Sequence, residues 1–115
     1  MGGNLAEPIT KEQHAFQKEL IEQSAFTVAW LGGTDMNSEG NWTWADCQRP
    51  FTITYWGNGE PNNGADDEDC LVSSGGSWND LSCSTELQCV CEKNVCMKTW
   101  ATAGYIYFKV FLRLC

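Results

Sequence analysis

The stretch EPNNGADDEDC, residues 60–70, places five carboxylates and two asparagine amides within eleven positions and contains no lysine or arginine. Two carboxylates about 4 Å apart repel each other by about 1 kcal/mol in water, and by about 4 kcal/mol at an effective dielectric of about 20. Carboxylate and amide oxygens are the ligands that calcium takes, six to eight at a time. Because a bound cation relieves the repulsion, the pattern indicates a cation site in a loop.

The oxygen-bearing side chains fall into two groups. The first joins the acidic stretch to a Trp-Asn-Asp triplet further along, and its members are Glu60, Asn62, Glu68, Asn79 and Asp80. The indole of Trp78 would anchor a strand end while the next two side chains point outward. The second group lies in an earlier glycine-rich loop, where Asp35 and Glu39 are four residues apart. Each residue alone is an ordinary solvated loop residue; their combination and order favour calcium.

The acidic residues are concentrated rather than spread evenly. Residues 1–93 hold four basic and fifteen acidic residues, a charge of −11, whereas the whole 115-residue chain carries −8. Nucleic-acid binding requires clustered lysine and arginine, so the composition argues against a nucleic-acid partner. The hydrophobic fraction of 43% and the length describe one ordinary globular domain.

Little in the sequence indicates catalysis. His14 is the only histidine, and it is predicted to lie on the surface of a helix, near the start. No serine or cysteine has a recognisable base partner. Cys89, Cys91 and Cys96 could suggest zinc, but two cysteines alternating along a strand explain the pattern better. We expect a binding protein rather than an enzyme.

Seven cysteines in so short a chain, six of them after position 69, indicate an oxidising compartment. The Met1 end has neither a basic segment nor an apolar segment of the kind that forms a signal peptide. These two observations conflict if the chain is whole. Either the chain is a fragment or its cysteines stay reduced, and we favour a fragment of an extracellular, secreted protein.

The first part of the chain predicts one helix and one strand. Thr10 and Gln13 have the spacing of a capping box, and the helix is predicted to run to Gln23 with Phe16 and Leu20 on its buried face. A strand over Phe26–Leu31 is predicted to end at the glycine pair 32–33.

Short strands and glycine-rich loops are predicted after that helix. Strands are expected at Trp42–Trp44, with both indoles on one face, and at Thr52–Trp56. Further short strands are expected at 71–72, around Trp78 and at 88–91. Residues 57–67, which lie between the strands expected at 52–56 and 71–72, are predicted to form a long loop. A loop of this length is uncommon unless it is functional or held by a ligand.

The last part of the chain, residues 94–115, differs in composition. Trp100–Leu114 is mostly apolar, but it is shorter than the roughly 20 residues that a membrane span needs. Lys109 and Arg113 also interrupt it. We expect an additional strand or a non-native extension here, and no membrane insertion.

The stretches GGNLAEP, WLGGTD, EGNWTW, YWGNGEPNNGADDEDC, WNDLSC and CVCEK together resemble the C-type lectin domain, the calcium-dependent carbohydrate-recognition fold. They occur in the order of that family and cover residues 2–93. The resemblance implies an α+β fold with short antiparallel strands, one or two helices and a long calcium-binding loop. It also implies two segments: a lectin domain at 1–93, without its first strand and first cysteine, and a non-family C-terminal extension at 94–115.

Calcium ligands follow from the resemblance position by position. The principal calcium would be held by Glu60, Asn62, Glu68, Asn79 and Asp80, with a cis bond before Pro61 turning the first two toward the ion. An auxiliary calcium would be held by Asp35, Glu39, Asn63, Glu68 and Asp69. The family's loop-closing disulfide would join Cys70 and Cys83. Cys91 matches the family's last cysteine, whose usual partner has no counterpart here.

The same five principal ligands would bind the sugar, with two of its hydroxyls completing the calcium shell. In similar lectins the order Glu-Pro-Asn goes with mannose, glucose, N-acetylglucosamine or fucose, and Gln-Pro-Asp goes with galactose. Binding at one site would be weak, so function would rely on multivalency. The alternative is a lectin-like module that binds protein and keeps calcium only for structure.

Overall fold

The computed structural model describes residues 4–24 and 27–92, together with the backbone of three two-residue strands further along. The only α-helix among these residues, α1, spans Lys11–Glu22, and a 3-10 turn spans Gly64–Asp66. The strands are β1 (Asn4–Leu5), β2 (Val28–Thr34), β3 (Thr43–Trp44), β4 (Cys70–Ser74), β5 (Ser77–Leu81), β6 (Gln88–Glu92), β7 (Met97–Lys98), β8 (Tyr105–Ile106) and β9 (Arg113–Leu114).

The strands form one larger sheet and a separate pair. The larger sheet has the order β1-β6-β2-β4-β5, with β3 paired to β2 and β9 paired to β6, while β7 pairs with β8. Strands β2 and β6 run parallel, and the other pairs run antiparallel. The predicted α+β class is therefore confirmed. The prediction of antiparallel strands fails only at β2–β6, where the long connection between them permits a crossover.

Helix α1 begins where the sequence predicts. The Thr10 hydroxyl accepts a hydrogen bond from the Gln13 amide nitrogen at 3.1 Å, and Gln13 Oε1 accepts from the Thr10 nitrogen at 3.0 Å. Both bonds of a capping box are thus present. They satisfy amide donors that the first turn of a helix leaves free.

The buried face of α1 differs from the predicted one. Phe16 is 53% exposed, and the buried positions are His14, Gln17 and Ile21, with Leu20 packed at the edge of the core. The prediction of a buried Phe16 and a surface His14 is wrong. The spacing of residues 14, 17 and 21 is helical. Tertiary contacts, and not the positions of the most apolar side chains, therefore decide which face of this helix is buried.

His14 belongs to an aromatic stack beneath the helix. Its ring lies parallel to that of Tyr55, with centroids 3.5 Å apart, and meets Trp78 edge-on at 5.8 Å. Burial lowers the pKa of His14 below its usual value of 6.5, and the nearby positive charge of Lys18 lowers this pKa further. The imidazole is therefore a neutral core aromatic over the physiological pH range.

We expect His14→Phe to reduce the fall in the free energy of unfolding at acid pH. Below about pH 6.5 the unfolded chain takes up a proton that the folded His14 resists, so the free energy of unfolding falls as pH falls toward the folded pKa. Phenylalanine keeps the stack, which contributes about 0.5–1.5 kcal/mol, and removes the titration. Guanidinium unfolding at about pH 7.5 and about pH 5.5, with chelator present, measures the difference. Equal pH dependence in both proteins would contradict this assignment.

Trp78 is the centre of the core. It is fully buried and meets Trp44 edge-on with ring centroids 5.7 Å apart. Phe51 lies 5.4 Å from Trp78, and it contacts the rings of both Trp42 and Trp44. The indoles of Trp42 and Trp44 therefore both pack against Phe51.

The glycine pair 32–33 does not end the preceding strand, because β2 continues through it to Thr34. A Cβ atom at Gly33 would lie 2.5 Å from Phe51 Cζ, and one at Gly32 would lie 2.9 Å from Glu7 Cγ. The glycines thus allow close packing on both sides of the strand. The predicted strand end at this pair is wrong. Phe26, where this strand was predicted to begin, lies outside the described residues.

Two further segments differ from the prediction. Residues 52–55 are not in a strand, and Trp56 makes only an isolated bridge to Trp78, because this segment curves over the core instead of joining the sheet. Strands β4 and β5, in contrast, form a longer hairpin than predicted. Its turn is Gly75–Gly76, with φ values of 58° and 89°, which match a tight two-residue turn.

The segment after residue 93 is described only at β7, β8 and β9. There, β9 pairs with β6 through Leu114 opposite Val90, in agreement with the expectation of an additional strand. The remainder of the apolar run Trp100–Leu114 lies outside the described residues. Within the described part, no helix has the length and apolar character needed to cross a membrane.

Candidate metal centre

The long loop begins and ends at fixed points of the sheet. The Gly57 nitrogen donates to the Trp78 carbonyl at 2.8 Å, and the Glu60 nitrogen donates to the Gly57 carbonyl at 3.0 Å. The peptide bond that follows, Glu60–Pro61, is cis, as the resemblance implies. At the other end of the loop, Cys70 is joined to Cys83 by a disulfide with a Cα–Cα distance of 5.2 Å, as predicted.

Asp80, in strand β5, anchors the long loop to the sheet. Asp80 is almost fully buried at 1% exposure and lies opposite Leu71 in the β4–β5 hairpin, so the prediction that its side chain points outward is wrong. Its Oδ1 accepts a hydrogen bond from the Asn62 nitrogen at 3.0 Å, and its Oδ2 accepts from the Asn63 nitrogen at 2.6 Å. One carboxylate therefore fixes two consecutive amides directly after the cis proline.

The tip of the loop is held by its own side chains. Glu68 Oε1 accepts from the Gly64 nitrogen at 2.7 Å, and Asn63 Oδ1 accepts from the Glu68 nitrogen at 3.0 Å. Asn63, Ala65 and Asp66 all have positive φ values near 50°, which asparagine and aspartate tolerate better than most residues. These bonds keep Glu68 beside the segment that carries Asn62.

Several oxygens of this region are buried without a hydrogen-bond partner among the described residues. They include Glu60 Oε1 and Asn79 Oδ1. A buried polar atom left unpaired costs about 1–3 kcal/mol, so native structures pair such atoms with protein, water or an ion. Every side-chain atom here that could coordinate an ion is a carboxylate or amide oxygen, which suits a hard cation such as calcium. The residues present therefore fit the ion.

The carboxylates of this site lie close enough to affect one another. The pKa of Glu60 is raised above its usual value, first by burial and then by the neighbouring carboxylates of Asp80 and Glu68. The structure thus brings together Glu60, Asp80 and Glu68 with Asn62 and Asn79 nearby. However, Glu60, Glu68 and Asp80 do not form a group whose ligand atoms all lie within 4.8 Å of one another. Glu68 instead turns an oxygen to Gly64.

A second group of acids does converge. One carboxylate oxygen from each of Asp35, Glu39 and Asp69 lies within 4.8 Å of the others. The buried Asp35 accepts from the Gly40 nitrogen at 2.9 Å through Oδ2, while its Oδ1 has no partner among the described residues. Of the five residues that the resemblance implies for the auxiliary ion, Asn63 and Glu68 stand outside this group.

Electrostatics are unfavourable in this second group without a cation. The pKa of Asp69 is raised, chiefly by its hydrogen-bonding contact with Asp35 and then by burial. The pKa of Glu39 is raised by loss of solvent contact and by the charge of Asp35. Both shifts arise in part from the charge of Asp35, and a divalent ion would offset that repulsion.

Sequence reasoning missed part of what positions the loop. Asp67 is exposed, and its Oδ2 accepts a hydrogen bond from the Ser82 hydroxyl at 3.0 Å, which ties the loop to the residue that follows β5. The backbone amides of Asn62, Asn63 and Gly64 were also not recognised as donors to the site carboxylates. Every residue except proline carries such an amide, so no pattern in the sequence pointed to these three.

The remaining described cysteines are also oxidised. Cys47, Cys89 and Cys91 are each disulfide-bonded, which agrees with the oxidising compartment expected from the sequence. The sulfurs of Cys89 and Cys91 are 3.9 Å apart, too far for a bond of about 2.05 Å between them. No described cysteine is free.

Comparisons with known proteins agree with this architecture. The family profile "Lectin C-type domain" matches residues 1–93. CD209 antigen-like protein D of Mus musculus is 39% identical over 95 residues, covering 81% of this chain and 39% of that protein. Hepatic lectin of Gallus gallus is 47% identical over 84 residues, covering 71% of this chain and 41% of that protein.

Solved structures share the fold. The mouse scavenger receptor C-type lectin carbohydrate-recognition domain superposes with a TM-score of 0.68 at 28% identity, over 77% of this chain and 68% of that one. The chain spans about two fifths of the length of the two curated relatives named above. Family and fold therefore extend over the segment that carries both acidic groups.

Proposed function

The chain belongs to the C-type lectin domain family, and from this we propose that it binds carbohydrate through calcium, in the mannose, glucose, N-acetylglucosamine and fucose class. Domains of this family are generally binding modules, not enzymes, and typically take calcium. The proposed ligands of the principal ion, which would also contact the sugar, are Glu60, Asn62, Glu68, Asn79 and Asp80.

One observation carries the proposal. Glu60 Oε1 and Asn79 Oδ1 are buried and have no hydrogen-bond partner among the described residues, and they come from two different elements that Asp80 links. Glu60 follows the Gly57 turn, whereas Asn79 lies in β5. A cation between these oxygens would satisfy both of them and the Asp80 carboxylate, as calcium coordination requires.

The side chains divide into acceptors and donors toward a sugar. Carboxylates accept only, so Glu60 and Glu68 would accept hydrogen bonds from sugar hydroxyls. Asn62 Oδ1 already accepts from the Gly64 nitrogen at 3.2 Å, which orients its amide so that the NH2 group can donate. Asn79 would donate in the same way. The bound calcium would supply two further coordination positions for sugar hydroxyls.

The converging acids support a second, auxiliary ion. We assign it to Asp35, Glu39 and Asp69, with Asn63 and Glu68 completing the set through the loop. Since Asp35 Oδ1 is buried and unpartnered among the described residues, an ion there would satisfy it. Its role would be to join the Asp35–Gly40 loop to the long loop, because Asp69 immediately precedes β4.

This tighter acid group also favours the alternative function. A module that binds protein and keeps calcium only for structure would need the auxiliary site but no sugar ligands. The two functions differ in what the oxygens of Glu60 and Asn79 contact, and a sugar-binding measurement separates them.

We expect the oxidised full chain to be retained on mannose-agarose in calcium and released by a chelator. Galactose-agarose and unsubstituted agarose are the matched control resins, since the order Glu-Pro-Asn at 60–62 predicts little retention on either. Calorimetry with calcium alone shows whether the ion binds. Protein that binds calcium but is not retained on mannose would contradict the sugar proposal and favour the structural-calcium alternative.

The wider context of the domain is part of the same proposal. We place the lectin domain at residues 1–93 and treat 94–115 as a C-terminal extension outside the family. The disulfides favour an extracellular location. A single shallow site of this kind binds weakly, so we expect the parent protein to present several copies to its glycan ligands.

A further inference from the structure

A cleft with a volume of about 430 Å³ is lined by residues of the segments 40–43 and 50–56. Its walls include three aromatic residues, Trp42, Phe51 and Trp56, and three small polar ones, Asn41, Thr43 and Thr54. Binding clefts of roughly 300–1,000 Å³ with aromatic walls and a few polar groups are typical of small-molecule sites. None of the functions proposed above uses this cleft.

The aromatic residues form a continuous apolar wall. The Trp42 and Trp56 rings meet edge-on with centroids 5.0 Å apart, and Phe51 lies 6.0 Å from Trp42 and 6.3 Å from Trp56. Trp42 is nearly buried, while Phe51 and Trp56 are half-buried, so part of their ring surface faces the cleft. Mutual packing fixes these rings, which lowers the entropy lost when a ligand binds.

The polar residues form an uncharged rim. Asn41 and Thr54 are exposed and Thr43 is half-buried, and together they offer one amide and two hydroxyls. Every residue that lines the cleft is neutral, although the chain carries a net charge of −8. A neutral lining favours a neutral ligand that combines an apolar face with hydroxyl groups, which describes a pyranose ring.

Residues that line the cleft connect to both proposed ion sites, along the chain on one side and through a hydrogen bond on the other. Trp56 immediately precedes Gly57, to whose carbonyl the Glu60 nitrogen donates. Gly40, which also lines the cleft, donates its backbone N–H to Asp35. The backbone of the cleft thus leads directly into the long loop on one side and into the auxiliary acid group on the other.

We propose that this cleft is a second saccharide subsite, which takes a neighbouring ring of an oligosaccharide whose terminal residue lies at the calcium site. The sugar's apolar face packs on Trp56 and Phe51, and its hydroxyls bond Asn41 and Thr54. This inference rests on the proposed function and extends it from monosaccharide to oligosaccharide recognition.

The test compares methyl α-mannoside with a linear mannotriose by calorimetry in calcium. We expect the trisaccharide to bind wild type about tenfold more tightly, which corresponds to about 1.4 kcal/mol. Thr54→Arg fills the cleft, so the trisaccharide should lose this advantage while methyl α-mannoside affinity stays within about twofold. Thr52→Arg is the matched control, because Thr52 is also exposed but does not line the cleft.

The outcomes are separable. A trisaccharide advantage that survives Thr54→Arg, or that is lost equally in Thr52→Arg, would overturn the subsite. So would the absence of any advantage in wild type that binds methyl α-mannoside. Failure of wild type to bind methyl α-mannoside at all would instead overturn the calcium-site proposal, and the subsite with it. Unchanged methyl α-mannoside binding in each variant also shows that the protein is folded.

Discussion

Exchanging the two side chains that flank Pro61, through Glu60→Gln and Asn62→Asp together, is expected to turn a mannose-preferring site into a galactose-preferring one. The carboxylate that accepts hydrogen bonds then lies after the proline, and the amide that donates them lies before it. Reversing donor and acceptor across the ion favours a different arrangement of vicinal hydroxyls. We expect about a tenfold fall for mannose and a similar rise for galactose, the size of one hydrogen bond to a charged group.

The exchange leaves the loop itself in place. Asn62 Oδ1 accepts from the Gly64 nitrogen, and an aspartate oxygen at position 62 can accept the same bond. Competition between methyl mannoside and methyl galactoside for the immobilised protein measures the preference. The two single variants are the controls. Asn62→Asp leaves an acid on each side of Pro61 and Glu60→Gln leaves an amide on each side, so each should weaken the binding of both sugars. Mannose preference unchanged in the double variant would mean that the site lies elsewhere.

Replacing Asp80 with asparagine is expected to remove calcium binding, with a loss of at least about a hundredfold, or about 2.7 kcal/mol. Both carboxylate oxygens of Asp80 accept backbone amides, from Asn62 at 3.0 Å and Asn63 at 2.6 Å. Asparagine offers only one acceptor and turns an NH2 group toward the second amide. Hydrogen bonds to charged groups contribute about 1.5–3 kcal/mol each, so stability without calcium should fall by a similar amount.

Asp66→Asn provides the matched control in the same loop. Asp66 is exposed and has a φ of 55°, which asparagine also adopts readily. This variant removes the same charge but should change stability by less than about 0.5 kcal/mol. Calorimetry with calcium and urea unfolding with a chelator measure both quantities. Wild-type calcium affinity in Asp80→Asn, or an equal loss in Asp66→Asn, would contradict the assigned role.

Thermal unfolding gives a second measure of the same pair of variants. A ligand present at about one hundred times its dissociation constant stabilises the folded state by about 2.7 kcal/mol. Wild type and Asp66→Asn should therefore gain a higher midpoint on addition of calcium. Asp80→Asn should gain little, because the folded state no longer binds the ion.

Local chemistry predicted much of the loop and the start of the helix. The capping box at Thr10 and Gln13 depends only on residues three apart, and the structure has both of its bonds. The Cys70–Cys83 disulfide and the cis bond before Pro61 followed from a resemblance carried by dense motifs. The residues that carry these features are near neighbours, or are tied to a motif of fixed order.

Features that depend on long-range contacts were harder to predict. Nothing in the composition of α1 indicates that His14 is buried, since its burial depends on Tyr55 and Trp78, which are distant in sequence. The Gly32–Gly33 pair likewise has its function only because Glu7 and Phe51 pack against it. A strand signal at 52–56 failed for a related reason: β-branched and aromatic residues also suit a curved segment that covers a core.

The candidate site was predictable in type but not in detail. The combination and order of the carboxylate and amide oxygens predict a calcium site, and calcium binding stays a prediction. That Asp80 would accept two loop amides, or that Asp67 would accept from Ser82, depends on the path of the loop after Pro61. Backbone donors carry no side-chain signature, and so the sequence could not reveal them.

The β4–β5 hairpin has one further consequence. Its strands are joined at one end by the Gly75–Gly76 turn and at the other by the Cys70–Cys83 bond, so residues 70–83 form a covalent macrocycle. In an open hairpin, slippage by one residue would exchange the two faces of a strand. Here any slippage would pull the two sulfurs apart. Trp78 and Asp80 are thereby kept in phase, facing inward, by covalent topology and without the need for an ion.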